Sequence, residues 1–258
     1  ESYMDIMLRG GGIQSTTLAT RAASKDRMAE SGRKRLASML SLGVTTVEGK
    51  SGYGLDLDTE IKQLEVMRQL KEQQPVDIVP TFMGAHSVPT EYNGDPDGYI
   101  NFIINSVLPV VAEKKLAEFC DVFCEANVFD LEQSSRLLLA GAKYGMKPKL
   151  HADEIVPIGG TELAAQLGAV SADHLLHASV EGIGLLAEKK VIATLLPATA
   201  FSLKEPYAKA RRMIDRGCAV ALASDLNPGS CFTNSIPLLF ALATIYMDMT
   251  IEETVTAM

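Results

Sequence analysis

Cysteine, dense basic charge and long apolar runs are all scarce in this sequence, and each shortage removes a class of function. Only four cysteines occur in 258 residues (Cys120, Cys124, Cys218, Cys231), and no two of them form a CxxC pair. A disulfide-stapled fold and a cysteine zinc module are therefore not indicated, and buried free thiols are expected. The formal net charge is −8, and no run of Lys and Arg is dense enough for a nucleic-acid surface. The richest basic cluster, "RKR" at 33–35, reads as a solvated helix face. The longest apolar run is "IPLLFALATIYM" at 236–247, well under the roughly 20 residues of a membrane span. It reads as a buried core helix or as one serving a subunit contact. No secretory signal pattern is present. Neither nucleic acid nor membrane is expected as a partner, and a cytoplasmic location is expected.

What is present is the profile of a globular protein with a large core, 47% hydrophobic and 22% charged. No repeat or low-complexity linker divides the chain, so residues 1–258 read as one domain. Seven short β-rich runs recur, at 44–50, 76–84, 121–126, 147–153, 169–175, 190–197 and 219–225. Between them lie amphipathic stretches such as "TEIKQLEVMRQLKEQ" and "LEQSSRLLLAGAKYGM", with apolar residues at helical spacing. This alternation predicts an α/β fold, a parallel sheet with helices outside it. A polar group stands at or just beyond the C-terminal end of almost every run: Lys50 and Tyr53, His86, Glu125, His151, His174, Asp225. Such a spread favours a (β/α)8 barrel, whose active-site face gathers residues from many strands, over a doubly wound sheet with one switch point. Seven runs are one short of eight, so the first strand is expected to precede Glu1. The chain opens without Met and closes at Met258 about two turns into a helix that starts on a Thr250/Glu253 capping box. A segment of a longer protein is the expectation.

Two stretches imitate nucleotide sites. "GVTTVEGKS" has five residues between its glycines, where a phosphate loop needs four, and its β-branched residues make a strand. "RGGGIQSTT" lacks the GxGxxG spacing and follows no strand. The histidines are more informative. His86, His151 and His174 each close a predicted strand, while His177 falls one turn into the following helix and reads as a surface or capping residue. One strand-end histidine is ordinarily just a hydrogen-bonded polar group. Three of them, joined by Asp225, form a donor set suited to catalytic Zn²⁺ or Fe²⁺. "SDLNPGS" after the last run reads either as a plain turn or as a cradle for an anion.

"GGGIQSTTLATRAAS", "TTVEGKSGYGL", "GAHSVPTEYNGD", "DVFCEANVFD", "HADEIVPIGG", "LGAVSADHL", "ATLLPATAFSL" and "ASDLNPGS" occur in this order. Together they resemble the successive signatures of the imidazolonepropionase family, within the metal-dependent amidohydrolase superfamily. The resemblance runs from about residue 2 to the end and implies a partial (β/α)8 barrel, strands 2–8, without strand 1 and the family's small β-sandwich. It implies hydrolysis of 4-imidazolone-5-propanoate to N-formimidoyl-L-glutamate, with one divalent metal, zinc or iron, in a homodimer. Carried over by motif, His151 and Asp225 are metal ligands, and Asp225 also moves the proton of the attacking water. Glu154 hydrogen-bonds the substrate ring, and His174 orients or activates the water. Tyr53 and His86 contact the substrate, and Asn227, Gly229 and Ser230 hold its carboxylate end. The family's HxH pair is not found in this sequence. With half of the metal shell, the chain as given is expected to be inactive. A related cyclic amidase or deaminase, and a metal-free binding barrel, remain as alternatives. "KSGYGL" and the NPGS turn favour a substrate carrying a carboxylate.

Overall fold

A computed structural model describes residues 13–258, so the glycines of "RGGGI" lie outside the described residues. By internal contacts the chain divides into two units. The first contains the described residues up to Val122 together with Arg136–Lys147, and the second contains Phe123–Ser135 and Pro148–Met258.

The first unit opens with α1 (Ile13–Ala22) and α2 (Lys25–Ser41), followed by β1 (Thr46–Lys50), α3 (Leu57–Gln73) and β2 (Asp77–Ala85). Next come α4 (Pro96–Phe102) and α5 (Leu108–Glu113), joined by one π-helical turn, and then most of β3 (Phe119–Cys124). The last two turns of α6 (Leu131–Lys143) close this unit. Helix starts follow their caps. Ser24 accepts the Arg27 N–H ahead of α2, and Asp56 accepts the Thr59 N–H at 2.7 Å ahead of α3. Ala29 and Leu36 of α2 pack against Val66 and Leu70 of α3, over Ile78 of β2. β1 pairs parallel with β2 from Thr46↔Asp77 to Lys50↔Thr81, and β2 pairs parallel with β3. "GVTTVEGKS" is thus a strand and not a phosphate loop.

The second unit takes the end of β3, then β4 (Lys147–Ala152), α7 (Gly160–Gln166), β5 (Ser171–His174), α8 (Val180–Lys189) and β6 (Ile192–Leu195). It continues through α9 (Pro197–Leu203), α10 (Ala210–Asp215), β7 (Val220–Leu222), α11 (Ile236–Tyr246) and α12 (Ile251–Ala257). Strands β4 to β7 are parallel, each paired with the next in chain order. The α/β reading holds, with seven strands among the described residues. All four cysteines are buried and unbridged. The capping box of α12 is formed as read, with Thr250 and Glu253 bonding each other's backbone. Leu239, Leu242 and Ala243 of α11 are buried while Ile245 and Tyr246 are exposed, so this helix is core on one face only. Among the described residues no helix is long and apolar enough to cross a membrane.

Two strand ends that differ from the sequence reading lie near left-handed backbone. β7 stops at Leu222, three residues before Asp225, whose φ is 50°. β5 ends at His174 with φ 74°, and Leu175 follows at 60°. His177 consequently lies in the turn before α8 rather than inside a helix, with its N–H bonded to the Asp153 carbonyl.

Candidate active site

The "HADEI" segment is built by two buried carboxylates that sequence reasoning left without a role. Asp153 follows β4 at φ 48° and is 1% exposed. Its Oδ1 accepts the N–H groups of Ile158, Gly159 and Gly160 at 3.0–3.1 Å, and its Oδ2 accepts the Thr161 N–H at 2.9 Å and the Thr161 hydroxyl. Glu125, at the end of β3, accepts the N–H groups of Ala126, Ile155 and Val156. Backbone donors of the 155–161 loop thus converge on two anions, and the loop is held from both ends.

Between these anchors stands Glu154, 6% exposed, with Oε2 at 3.4 Å from His174 Nε2. Burial lifts its carboxyl to about 8; His151 nearby works against that, and the charges of Asp225, Glu125 and Glu205 add to it. At neutral pH this carboxyl keeps its proton and can donate a hydrogen bond. The His151 and His174 rings lie 5.1 Å apart, and Phe123 stands edge-on to His151 at 5.9 Å. His151 and Asp173 are register partners on β4 and β5, with donor atoms within 4.8 Å of each other. Asp173, 2% exposed, is a residue that sequence reasoning missed. Its only signal was its place beside His174 in "SADH". Buried imidazole nitrogen and carboxylate oxygen are the donors zinc or iron takes, so these residues fit a metal.

The raised carboxyl carries a pH consequence. A folded value near 8 for Glu154 exceeds the ordinary carboxylate value, so the folded state holds a proton that the unfolded chain releases. That stability is complete below about pH 4.3 and is lost as pH rises toward the folded value, at about 1.4 kcal/mol per pH unit. In metal-free protein, Glu154→Gln is expected to flatten this fall between pH 5 and 8. Urea unfolding across that range is the measurement, and parallel curves for the two proteins would refute it.

Asp225 accepts the Thr199 hydroxyl at Oδ2, 2.6 Å away. Asn227 closes the following turn: its Nδ2 donates to the Asp225 carbonyl and to Ser230 Oγ, and its Oδ1 accepts the N–H groups of Gly229 and Ser230 at 2.8 and 2.7 Å. An anion held by those two N–H groups would share them with Asn227.

In the first unit, Tyr53 and His86 meet edge-to-face with ring centroids 5.1 Å apart. The Gly52 carbonyl lies 3.1 Å from His86 Nδ1. The "SGYGL" loop carrying Tyr53 is wrapped around Glu60, 1% exposed, which accepts the N–H groups of Gly52, Gly54 and Leu55. Lys50 bonds Asp121 Oδ2 at 2.5 Å and Glu48 at 3.0 Å. Gly52 sits at φ 101°, and a Cβ there would stand 2.6 Å from the Met83 carbonyl oxygen. Gly52→Ala is therefore expected to cost about 1–3 kcal/mol from left-handed strain and clash. Thermal unfolding reads it, and an unchanged Tm would refute it.

No family model matches the chain. An imidazolonepropionase of Clostridium tetani is 67% identical over 258 residues, all of this chain and 62% of that protein. Relatives of the same name from Bacteroides fragilis and Porphyromonas gingivalis are 63% and 58% identical. The chain thus spans about three fifths of the length of these curated relatives. Among solved structures, 5-methylcytosine deaminase from Klebsiella pneumoniae superimposes with TM-score 0.71 at 13% identity, covering 93% of this chain and 65% of that one. An adenosine deaminase from Xanthomonas campestris with bound zinc gives 0.68 at 15%, covering 95% of this chain and 55% of that one. These likenesses show the fold alone, a parallel α/β arrangement. With sequence identity sustained over every residue, this chain is similar throughout its length to the imidazolonepropionases.

Proposed function

We propose that this chain carries part of the active site of a hydrolase that opens the ring of 4-imidazolone-5-propanoate, adding water across a C–N bond to give N-formimidoyl-L-glutamate. The observation that carries the reading is the identity of 67% to an imidazolonepropionase across the whole chain. The cluster of His151, Glu154, His174 and Asp173 supports it. His151 and Asp225 would hold one divalent ion, zinc or iron, which when bound lowers the pKa of water and polarises a carbonyl.

The remaining chemistry falls to the chain's own side chains. Asp225 accepts the proton of the attacking water and returns it to the ring nitrogen as the C–N bond breaks. Glu154, protonated at neutral pH, hydrogen-bonds the substrate ring, and His174 orients the water. Tyr53 and His86 contact the substrate. Asn227, Gly229 and Ser230 take its carboxylate. We read residues 1–258 as one barrel domain of a cytoplasmic homodimeric enzyme. The deaminase alternative has only fold likeness behind it, at 13–16% identity.

The test is loss of the ultraviolet absorbance of 4-imidazolone-5-propanoate in the complete, metal-replete natural protein. Turnover is expected, and Asp225→Asn is expected to lower it by about 10²-fold or more. A metal-loaded protein without turnover would sink the substrate assignment.

A further inference from the structure

Asp225 presents its carboxylate from irregular backbone. β7 has ended three residues earlier at Leu222, and Asp225 has a left-handed φ of 50°. Rotation of an aspartate about its Cβ–Cγ bond moves both oxygens, so the partners of those oxygens set its plane. One such partner comes from another element. Thr199, in the first turn of α9 and 2% exposed, donates its hydroxyl to Asp225 Oδ2 at 2.6 Å. A hydroxyl-to-carboxylate bond of this length belongs to the strong, charge-assisted class.

Thr199 is itself held in place. Its N–H bonds the Leu196 carbonyl at 3.1 Å, and α9 begins on Pro197, whose ring fixes the backbone. Its β-branched side chain has few rotamers to choose from. The Cys231 thiol donates to the Ser224 and Thr233 carbonyls at 3.3 and 3.8 Å. Cys231 in turn packs with Ala198 and Leu239 in a buried cluster. The hydroxyl therefore reaches Asp225 from a fully packed base.

We propose that Thr199 is the positioning residue for Asp225: its hydroxyl bond to Oδ2 fixes the plane in which the carboxylate meets a divalent cation and the attacking water. This rests on the reading of Asp225 as metal ligand and proton carrier. Thr199 touches neither substrate nor cation, and acts through Asp225 alone.

The test uses the complete natural protein as wild type, Thr199→Val, Thr199→Ala, Thr199→Ser and Asp225→Asn. Zn²⁺ affinity is measured by competition with a chromophoric chelator, and kcat and KM by substrate absorbance. Thr199→Val keeps the shape and removes the hydroxyl, so Zn²⁺ affinity and kcat are each expected to fall about 10–100-fold, with KM little changed. Thr199→Ala, which cannot clash, is expected to behave alike should the valine fail to fold. Thr199→Ser restores the hydroxyl and is expected to return both values to within about threefold of wild type. Wild-type Zn²⁺ affinity and kcat in Thr199→Val or Thr199→Ala would overturn the proposal. So would a serine variant as impaired as the valine, because the methyl group would then be what matters. If Asp225→Asn binds Zn²⁺ and turns over like wild type, the reading of Asp225 itself fails, and the positioning role falls with it.

Discussion

Asp153→Ala is expected to destabilise the second unit by about 4–5 kcal/mol, at the top of the range for single substitutions. The carboxylate is 1% exposed and accepts from four backbone N–H groups and one hydroxyl. Bonds to a charged acceptor contribute about 1.5–3 kcal/mol each when counted singly. They share one acceptor and are not additive, which brings the total down from the simple sum. Alanine leaves all five donors without the carboxylate: two on half-buried Ile158 and Gly159, and three on buried Gly160 and Thr161 at the start of α7. The positive end of a helix dipole loses its counter-charge at the same time. Asp153→Asn should fall between, since an amide keeps one acceptor oxygen and turns two new donors toward existing ones. Urea unfolding midpoints measure both. A loss under about 1 kcal/mol would mean that water reaches the loop and replaces the carboxylate.

Glu60→Ala is expected to cost about 3–4 kcal/mol and, in the complete natural protein with its proposed activity, to raise KM more than it lowers kcat. Glu60 gathers the N–H groups of Gly52, Gly54 and Leu55 and the Gln63 side-chain amide, at 2.8–3.1 Å for the shortest contact of each. Three of those donors bracket Tyr53, so the loop that presents this proposed substrate contact exists because a buried anion pulls it inward. Without the carboxylate, the ring is no longer held edge-on to His86. Binding should suffer first, because neither ring is assigned a proton transfer. Glu60→Gln keeps the shape and one acceptor oxygen but removes the charge, and should recover about half of the stability. Equal losses in kcat and kcat/KM, with KM unchanged, would instead place Tyr53 in the chemical step.

The regular elements were legible because burial writes itself into spacing. Runs such as "VDIVPTFMG" and "KPKLHAD" match β2 and β4 to within a residue or two at each end. The exposed "RKR" face of α2 and the capping box of α12 were equally plain. The residues that shape the site were harder. Glu60 sits in "TEIKQLEVMRQLKEQ", where one more carboxylate looks like the solvated face of a helix. Only the loop folding back over it reveals that it is buried. Asp153 lay inside a quoted motif, yet its partners are backbone N–H groups, which every sequence has and no pattern marks. Thr199 meets Asp225 across 26 residues of chain, beyond what any local spacing encodes. Left-handed backbone at Asp153, His174 and Asp225 was also invisible, because φ at a non-glycine residue is set by its surroundings.

The left-handed turn at His174 has a consequence for how this site can vary over generations. In a pleated strand, adjacent residues face opposite sides of the sheet. Here Asp173 lies within 4.8 Å of His151 by donor atoms while the next residue, His174, brings its ring to 5.1 Å from the same histidine. Two consecutive codons therefore serve one site. Inserting or deleting a single codon within Ser171–His174 would turn one partner away whichever register the strand adopted. Lineages can substitute within this stretch, but they cannot change its length and keep both groups facing His151.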